Sequence, residues 1–302
     1  MKATRDGFGD QLEAMAGDKD LVVLNADLAD ATRLRKFAKI SPNRYFEIGI
    51  AEANMIGIAS GMAEYGFKVV VPSFAAFITG RYDIIRCSLA YNNRPVTVVG
   101  THAGMAIGKD GVTQMGLEDI NLMRGLPNMH IIQPATYREA LLATEFAINS
   151  DKLIYLRLGR QPVKEMFDED HKFEFGKGHV CLGGTRITII SSGCVLEMAY
   201  AAAKKMNATL INMPTLKPID KELIHRHAAI SKLIVTVEDH SIIGGLGSAV
   251  AEVLSSKAIT PLLRIGIQDQ FVESGPPADL YQKYGLTKDG IVKQIKAYLQ
   301  LK

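Results

Sequence analysis

The chain has 302 residues, of which 47% are apolar and 22% charged, with a formal net charge of +3. This composition predicts about two globular domains with sizeable cores and excludes a largely disordered chain. The charge is small and the Lys and Arg residues are dispersed, which argues against nucleic-acid or membrane partners. Three cysteines without a CxxC pair indicate neither a disulfide framework nor a metal site. Since no signal peptide or membrane span is recognisable, we expect a cytoplasmic protein.

Short apolar runs alternate with helical patterns in the first half of the chain. The runs predict buried strands at Leu21–Asn25, Lys68–Pro72, Pro95–Gly100, Met129–Gln133 and Leu153–Leu158. Between them, segments such as Thr136–Ile148 have the spacing of helices, so we predict a parallel sheet covered on both faces. Ligands of such sheets bind beyond the carboxyl ends of the strands, which directs attention to the loops Gly100–Gln114 and Leu158–Gln161.

A helix is predicted in the segment Tyr45–Gly66. Its apolar stripe is predicted to comprise Ala51, Met55, Ile58, Met62 and Tyr65. Gly57 and Gly61 leave one helix face without side chains, which favours close contact with another helix or a partner chain. Glu52 lies in the first turn of this otherwise apolar segment. It either complements the helix dipole, as first-turn acids commonly do, or has a chemical task.

The composition changes to Pro, Lys, Asp, Glu, His and Gly between Gln161 and Gly184, which predicts a connection between domains. We predict a first domain over 1–165, a linker over 166–184 and a second domain over 185–302. Further strands are predicted at Arg186–Ser191, Ala208–Asn212, Lys232–Glu238 and Leu262–Gly266, with helices near Leu196–Met206 and Leu246–Leu254. The second domain is therefore expected to be a smaller α/β unit. Its Gly-rich turn at Val237–Gly247 predicts backbone N–H groups that bind an anion, and His240 there is predicted to be structural.

The loop from Gly100 to Asp119 follows a predicted strand and contains four glycines before Gln114. His102 alone is typical of a hydrogen-bonded loop residue, and Asp110 alone is typical of a turn. Together with Gln114 they concentrate polar side chains at one strand end, next to the Glu52 helix, which indicates a site.

Several motifs in combination resemble the transketolase family. FEIGIAEANMIGIASG, PSFAAFITGRYDIIR and GTHAGMAIGKDGVTQM resemble its pyrimidine-binding domain, and ATR, VVLNADLADAT, LRLGRQP, TLKPID and TVEDHSIIGGLG resemble other parts of its C-terminal two-thirds. The resemblance implies an α/β fold in which a parallel-sheet, thiamine diphosphate pyrimidine-binding domain precedes a smaller α/β C-terminal domain. Gln114-Met115 is similar to the animal-type pattern, whereas many other members carry His-Gln there.

This resemblance implies a thiamine diphosphate cofactor with Mg²⁺. Glu52 would hydrogen-bond to the ring nitrogen of the aminopyrimidine and favour its imino tautomer, which activates the cofactor. Phe74 and Phe77 would enclose the pyrimidine. Asp27 and Leu28, in the NADL motif, match cofactor-binding positions of the family.

The implied reaction is transfer of a two-carbon ketol unit between sugar phosphates, as in the pentose phosphate pathway. Arg5 and Arg160 match the family's phosphate-binding arginines, with His102 beside them. Asp110 would accept a hydrogen bond from a substrate hydroxyl. Gln114 would lie near the reacting carbonyl, so the implied catalytic residues are Glu52, His102 and Gln114.

The chain departs from the family in three respects. Gly80 stands where some members place an aromatic residue, and Ala31 followed by Thr32 stands where many carry the Ser of the phosphate pocket. The chain also contains no GDG loop, which the family places in an N-terminal domain that holds the diphosphate and its metal. The resemblance thus implies the C-terminal subunit of a split transketolase, inactive alone and completed by an N-terminal partner chain in a dimer of heterodimers, with no metal site of its own.

Four alternatives share these features. A 2-oxoacid dehydrogenase β subunit has the same domain plan and the glutamate, and a fragment of deoxyxylulose phosphate synthase carries a similar IAE helix. A non-catalytic scaffold would retain only the dimer-forming fold. A truncated piece of a longer transketolase would have the same sequence features as a natural subunit.

Overall fold

The computed structural model describes residues 1–257 and 260–300; residues 301 and 302 of the predicted second domain lie outside them. The strands are β1 Lys2–Ala3, β2 Leu21–Asn25, β3 Tyr45–Glu47, β4 Lys68–Phe74, β5 Val96–Thr101, β6 Met129–Ile132, β7 Leu153–Arg157, β8 Pro162–Val163, β9 His179–Leu182, β10 Ile187–Ser191, β11 Thr209–Asn212, β12 Thr215–Lys217, β13 Leu233–Ser241 and β14 Leu262–Ile267. The α-helices are α1 Thr4–Ala14, α2 Arg35–Ile40, α3 Glu52–Glu64, α4 Ala75–Thr79, α5 Tyr82–Ile84, α6 Asp119–Arg124, α7 Tyr137–Ile148, α8 Leu196–Met206, α9 Lys221–Ile230, α10 Leu246–Leu254, α11 Pro277–Lys283 and α12 Lys288–Gln300.

The first sheet has seven strands in the order β12-β6-β7-β5-β4-β2-β3. All neighbours pair in parallel except β12, which runs antiparallel to β6. The central strands are buried on both faces, which explains why β2 and β7 read as continuous apolar runs. Helices cover this sheet, so the predicted parallel α/β architecture of the first half is confirmed.

The strand and helix predictions agree with the structure to within two residues at most ends. Leu21–Asn25, Leu196–Met206 and Leu246–Leu254 match element for element. Helix α7 begins after Thr136, whose hydroxyl accepts a hydrogen bond from the Glu139 backbone N–H. This N-cap satisfies a donor that the helix itself leaves unpaired, and so fixes where α7 begins.

The predicted apolar stripe of α3 was partly wrong. The buried face consists of Met55, Ile56, Ala59 and Ala63, together with Glu52 itself. Tyr65 is 87% exposed, because α3 ends at Glu64 and the chain then turns away from the core. The error arose because apolar residues and glycines occupy nine of the thirteen positions of this helix, so spacing alone does not identify the buried face.

The second sheet has the order β14-β13-β10-β11-β9, parallel except for β9. Strand β9 lies inside the segment predicted as the linker, whereas β8, in the predicted first domain just before it, pairs with β1 at the start of the chain. Conversely β12, which follows β11 in the chain, joins the first sheet. The two halves are therefore connected by one crossing strand, β12, as well as by a linker.

The described part of the chain includes no helix with the length and hydropathy needed to cross a membrane.

Candidate active site

The residues singled out in the sequence lie where five adjacent strands of the first sheet end. Parallel strands β7, β5, β4, β2 and β3 are neighbours, so their carboxyl ends share one edge of the sheet. Asp27 follows β2, Glu52 follows β3, Phe74 ends β4, His102 follows β5 and Arg160 follows β7. The topology thus collects residues from separate motifs at the edge where open α/β sheets bind ligands.

Glu52 is the first residue of α3 and is only 5% exposed. The Ser73 hydroxyl, near the end of β4, donates a hydrogen bond to its Oε1 at 3.0 Å. Within the described residues, no group hydrogen-bonds the second carboxylate oxygen, Oε2. Burial removes water from a carboxylate and makes an additional donor favourable, so this oxygen is suited to accept a hydrogen bond from a ligand.

A hydrogen-bonded chain defines the protonation of His102. Arg5 Nη1 lies 2.8 Å from His102 Nε2, and Thr101 Oγ1 lies 2.9 Å from His102 Nδ1. Because a guanidinium has no acceptor, Nε2 must accept, and the ring proton lies on Nδ1. The Thr101 hydroxyl accepts that proton's hydrogen bond and donates its own hydrogen to the Ser73 carbonyl at 3.2 Å. His102 is therefore neutral, in the tautomer that carries its proton on Nδ1.

The electrostatic surroundings keep His102 neutral. Burial, followed by the charges of Arg5, Arg160 and Arg33, lowers the pKa of His102 to about 3. Burial likewise lowers the pKa of Arg5 to about 10, with Arg33 and Arg160 adding to the effect. Three guanidinium groups thus act on His102, which makes this region favourable for an anion.

Two aromatic rings stand beside the histidine. The Phe74 ring stacks on His102 with centroids 3.9 Å apart and on Phe77 with centroids 5.2 Å apart. Phe74 ends β4 and precedes α4, whereas Phe77 lies within α4 and is half-buried. Phe74 belongs to an apolar core cluster against which Phe77 packs, and the pair also forms a stacked group that includes His102. Such flat apolar faces suit a planar heterocycle.

Asp27 and Leu28 lie in a tight loop after β2 that Glu47 organises. Asp27 has a left-handed backbone with φ of 59°, and its N–H donates to Glu47 Oε1 at 2.8 Å. The Glu47 carboxylate also accepts from Asn25 Nδ2, and from the Gly49 N–H at 3.0 Å. Glu47 therefore connects the end of β2 to the approach to α3. The role of Glu47 was not predicted from the sequence. The signal that could have indicated it was an acidic residue at the end of a strand.

Arg160 and Asp110 form a second, more exposed pair. Arg160 Nη1 lies 3.4 Å from Asp110 Oδ2 and 3.2 Å from the Ile107 carbonyl oxygen. Gln114 is half-buried, and its side chain makes no hydrogen bond within the described residues. The structure thus joins Arg5, His102, Phe74 and Phe77 in direct contact, and leaves Gln114 outside these contacts.

Ser73 and Thr101 are two further functional candidates missed in the sequence. Each is completely buried near the end of a central strand, and their hydroxyl groups orient Glu52 and His102. A hydroxyl residue in the apolar runs KVVVPSF and VTVVGT was the signal that could have found them.

The predicted anion-binding turn of the second domain is used by the chain itself. The buried Glu238 carboxylate accepts hydrogen bonds from the Leu246 and Gly247 N–H groups, at 2.7 and 2.9 Å. Burial raises the pKa of Glu238 to about 7, and these two N–H groups oppose the shift. An internal carboxylate thus takes the place expected for an external anion.

Among the described residues, no group of three or more His, Cys, Asp or Glu side chains is arranged to hold a metal ion.

The sequence profile described as the transketolase pyrimidine binding domain matches residues 1–165. The chain belongs to the transketolase family. The profile of the transketolase C-terminal domain matches residues 176–291, so the predicted fold and the predicted family are both confirmed.

Transketolase relatives of similar length match nearly the whole chain. A Methanocaldococcus jannaschii protein named for the C-terminal section of transketolase is 40% identical over 97% of this chain and 95% of its own length. One chain of the apulose-4-phosphate transketolase of Phocaeicola vulgatus is 36% identical over 97% of this chain and 96% of its own length.

A longer enzyme also matches: the 1-deoxy-D-xylulose-5-phosphate synthase of Nitrosomonas eutropha is 36% identical over 97% of this chain, which spans 48% of that enzyme.

A solved structure has the same fold over its full length. A split gene transketolase, described as an inactive β4 tetramer, superposes with a TM-score of 0.92 and 39% sequence identity, covering 100% of both chains. The similarity thus extends through both domains of this transketolase-family chain.

Proposed function

We propose that this chain is the C-terminal subunit of a thiamine diphosphate-dependent transketolase, which transfers a two-carbon ketol unit between sugar phosphates. The observation that carries the proposal is Glu52, a buried carboxylate at the head of α3 with Ser73 on one oxygen and the other oxygen free to accept. A protonated ring nitrogen of an aminopyrimidine offers the donor that such an oxygen lacks.

The residues around Glu52 fit the aminopyrimidine. Phe74 stacks with Phe77, so a flat apolar surface lies at the same strand end as Ser73, the hydroxyl donor to Glu52. Glu52 holds a proton at the ring nitrogen, and the phenylalanines exclude water from the ring. When bound, thiamine diphosphate supplies a carbon nucleophile and an electron sink for breaking a carbon–carbon bond. Glu47, by fixing the Asp27–Leu28 loop, supports a further part of the cofactor site.

The cations of the site fit a phosphorylated substrate. Arg5 and Arg160 provide forked donors for phosphate oxygens, and neutral His102 adds no charge of its own. Asp110 is 45% exposed and paired only loosely with Arg160, so its carboxylate is available to a sugar hydroxyl. Gln114 is a neutral side chain with uncommitted donors and acceptors near this edge. These features favour the sugar phosphates of the pentose phosphate pathway.

The exposed surface of α3 supports a partner chain. An added Cβ at Gly57 or Gly61 would meet no atom within 4 Å, so the glycine face of α3 is open. Ile50 just before the helix and Tyr65 just after it are 82% and 87% exposed. An open glycine face with exposed apolar side chains at both helix ends is typical of interfaces. We assign it to assembly with an N-terminal subunit that holds the diphosphate and Mg²⁺, and to association into a dimer of heterodimers.

Reconstitution tests the proposal. The chain is mixed with an N-terminal transketolase chain that carries the GDG loop, thiamine diphosphate and Mg²⁺, and ketol transfer from a ketose phosphate to an aldose phosphate is measured. We expect activity from the pair and none from either chain, with gel filtration showing the complex. Efficient transfer by this chain alone would contradict the split-subunit assignment, and turnover of pyruvate in place of the ketose phosphate would favour the synthase or dehydrogenase alternatives.

Two glutamates in helices, one buried and one exposed, provide a matched pair for the site. Glu52→Gln should lower ketol transfer by at least about 100-fold, since the amide cannot serve as the same proton acceptor. Glu145→Gln, at an exposed position of α7, should leave the rate unchanged. Equal activity of the two variants would remove Glu52 from the mechanism.

A further inference from the structure

A buried carboxylate of the second domain holds the loop that carries Asp110 and Gln114. We call residues 104–116 the active-site loop. Asp239 lies on β13, the second strand of the second sheet, and is 3% exposed. Its Oδ1 accepts a hydrogen bond from the Met105 backbone N–H at 3.1 Å, across the two domains. Its Oδ2 accepts from the Tyr281 hydroxyl at 2.8 Å. Both carboxylate oxygens are thus committed, one to each domain.

The backbone of the active-site loop is shaped to admit this carboxylate. Gly104 has a φ of 80°, and a Cβ at that position would lie 2.1 Å from Asp239 Oδ2. The Gly104 N–H donates to the Gly116 carbonyl at 2.9 Å, which closes the loop at its base. A side chain at position 104 would therefore separate Asp239 from Met105, and the absence of a Cβ permits the contact.

Arg157 connects the same carboxylate residue to the opposite end of the active-site loop. One Arg157 nitrogen, Nη2, donates to the Gly116 carbonyl at 2.9 Å and to the Asp239 carbonyl at 3.0 Å. Burial raises the pKa of Asp239, and the charge of Arg157 opposes the increase. Because both partners of the Asp239 carboxylate are donors, the ionised form matches the hydrogen bonds that it makes.

A second segment of the same domain contacts the tip of the active-site loop. A Cβ at Gly111 would lie 2.4 Å from Ser274 Oγ, and one at Gly108 would lie 3.1 Å from the Gly275 carbonyl. The Gly275 N–H also donates to the Gly108 carbonyl at 3.4 Å. Helix α11 begins two residues later and carries Tyr281, so the base and the tip of the loop are held by one connected region.

We propose that Asp239 is a positioning residue, through which the C-terminal domain fixes the active-site loop and hence the placement of Asp110 and Gln114 toward substrate. The role of this loop in substrate binding rests on the proposed function. The cofactor-binding residues Glu52, Phe74 and Phe77 lie outside the loop. Loss of Asp239 therefore disturbs substrate binding and turnover more than it disturbs cofactor binding.

Hydrogen exchange on the full chain tests directly whether Asp239 fixes the active-site loop. In Asp239→Ala, the backbone N–H groups of residues 105–114 should exchange about 10- to 100-fold faster than in the wild type, as expected for loss of a buried hydrogen bond to a charged group. Asp239→Asn keeps an oxygen that can accept from Met105 and should restore most of the protection. Unchanged exchange in Asp239→Ala, or no restoration by Asp239→Asn, would overturn the inference.

The neighbouring residue supplies the matched control. Glu238 is equally buried on the same strand, yet the hydrogen bonds that its carboxylate accepts within the described residues come from the start of α10. Glu238→Gln should accelerate exchange at Leu246 and Gly247 and leave the active-site loop protected. Acceleration of the loop by Glu238→Gln to the same extent would mean that the effect is general loosening of the domain, and would also overturn the inference.

Two further measurements keep the test decisive. If Asp239→Ala does not fold, Tyr281→Phe removes the donor to Oδ2 alone and should accelerate loop exchange about 3- to 10-fold; no acceleration contradicts the proposal. In the reconstituted pair, Asp239→Ala should lower kcat/KM for the sugar phosphate about 10-fold or more with the dissociation constant of thiamine diphosphate unchanged. A wild-type pair without ketol transfer would refute the proposed function, while the exchange data would still decide the role of Asp239.

Discussion

The Arg5 guanidinium donates to His102 Nε2 at 2.8 Å, and this contact places the only ring proton of His102 on Nδ1. A histidine held in this way is a neutral member of a cationic site. It is therefore fixed as a hydrogen-bonding group rather than as an acid that titrates near neutral pH.

Substitution of Arg5 should change the titration of His102. Burial and then the charge of Arg5 lower the pKa of His102 to about 3, so the wild-type ring should not titrate between pH 5 and 8. Arg5→Gln removes the positive charge, and the pKa of His102 should rise. NMR of isotope-labelled histidine measures the shift.

The lowered pKa of His102 also makes the free energy of unfolding depend on pH. Because the folded pKa lies below the unfolded value of 6.5, the unfolded chain binds the proton first. This contribution to the free energy of unfolding is present above about pH 6.5 and decreases as the pH falls toward 3. Arg5→Gln should weaken that decrease, and a variant with an unchanged His102 titration would contradict the assigned contact.

Ser73→Ala should impair activation of the cofactor in the reconstituted pair. It removes the only described donor to the Glu52 carboxylate, whose orientation then relaxes. We expect ketol transfer to fall about 10- to 100-fold, the range for a hydrogen bond to a charged group. Steady-state kinetics measure the effect. Thr144→Val, which removes a buried hydroxyl bonded within α7, is the control and should leave kcat unchanged.

Glu47→Ala should weaken cofactor binding through the loop after β2. The substitution removes the acceptor of the Asp27 and Gly49 N–H groups, so the left-handed backbone at Asp27 loses its support. We expect the affinity for thiamine diphosphate, measured by calorimetry on the reconstituted pair, to fall about 10-fold. Asp30→Asn alters an exposed ion pair with Arg35 in the same region and should have no effect. Unchanged affinity in Glu47→Ala would exclude a role for this residue in the cofactor site.

Arg157→Met should strongly destabilise the chain. Arg157 is 3% exposed and its Nε donates to Asp119 Oδ2 at 2.8 Å, so its loss leaves a buried carboxylate without its counter-charge. Removal of one partner of such a pair costs about 3–5 kcal/mol in the free energy of unfolding. Denaturant titration measures the change. Arg35→Met breaks an exposed pair and should leave the midpoint nearly unchanged.

Much of the fold followed from local sequence, whereas the site required contacts between distant segments. Strand β2 and helix α8 were predicted to the residue because apolar runs and helical spacing reflect burial within one element. The buried face of α3 was not predicted correctly, since most side chains of that helix are apolar or small. The family motifs located Glu52, Phe74 and His102, and spacing alone assigned none of them a role.

The residues that orient the site could not be predicted from the sequence. Ser73, Glu47 and Asp239 act through partners 21, 20 and 134 positions away along the chain. No local pattern encodes such pairs, because they depend on which strands lie side by side and on how the two sheets meet. The prediction that the turn at 237–247 binds an anion identified the right chemistry, and the structure places an internal carboxylate there.

Because of the short strand β12, truncation between the two domains does not leave the first sheet complete. Strand β12 belongs to the polypeptide after β11, yet it covers the outer edge of β6 in the first sheet. A fragment that stops near residue 165 would leave backbone N–H and C=O groups along the edge of β6 unpaired, and unpaired sheet edges promote aggregation. Fragments and chimaeras of this protein should therefore be designed around the pairing of strands, with 215–217 retained alongside the first half.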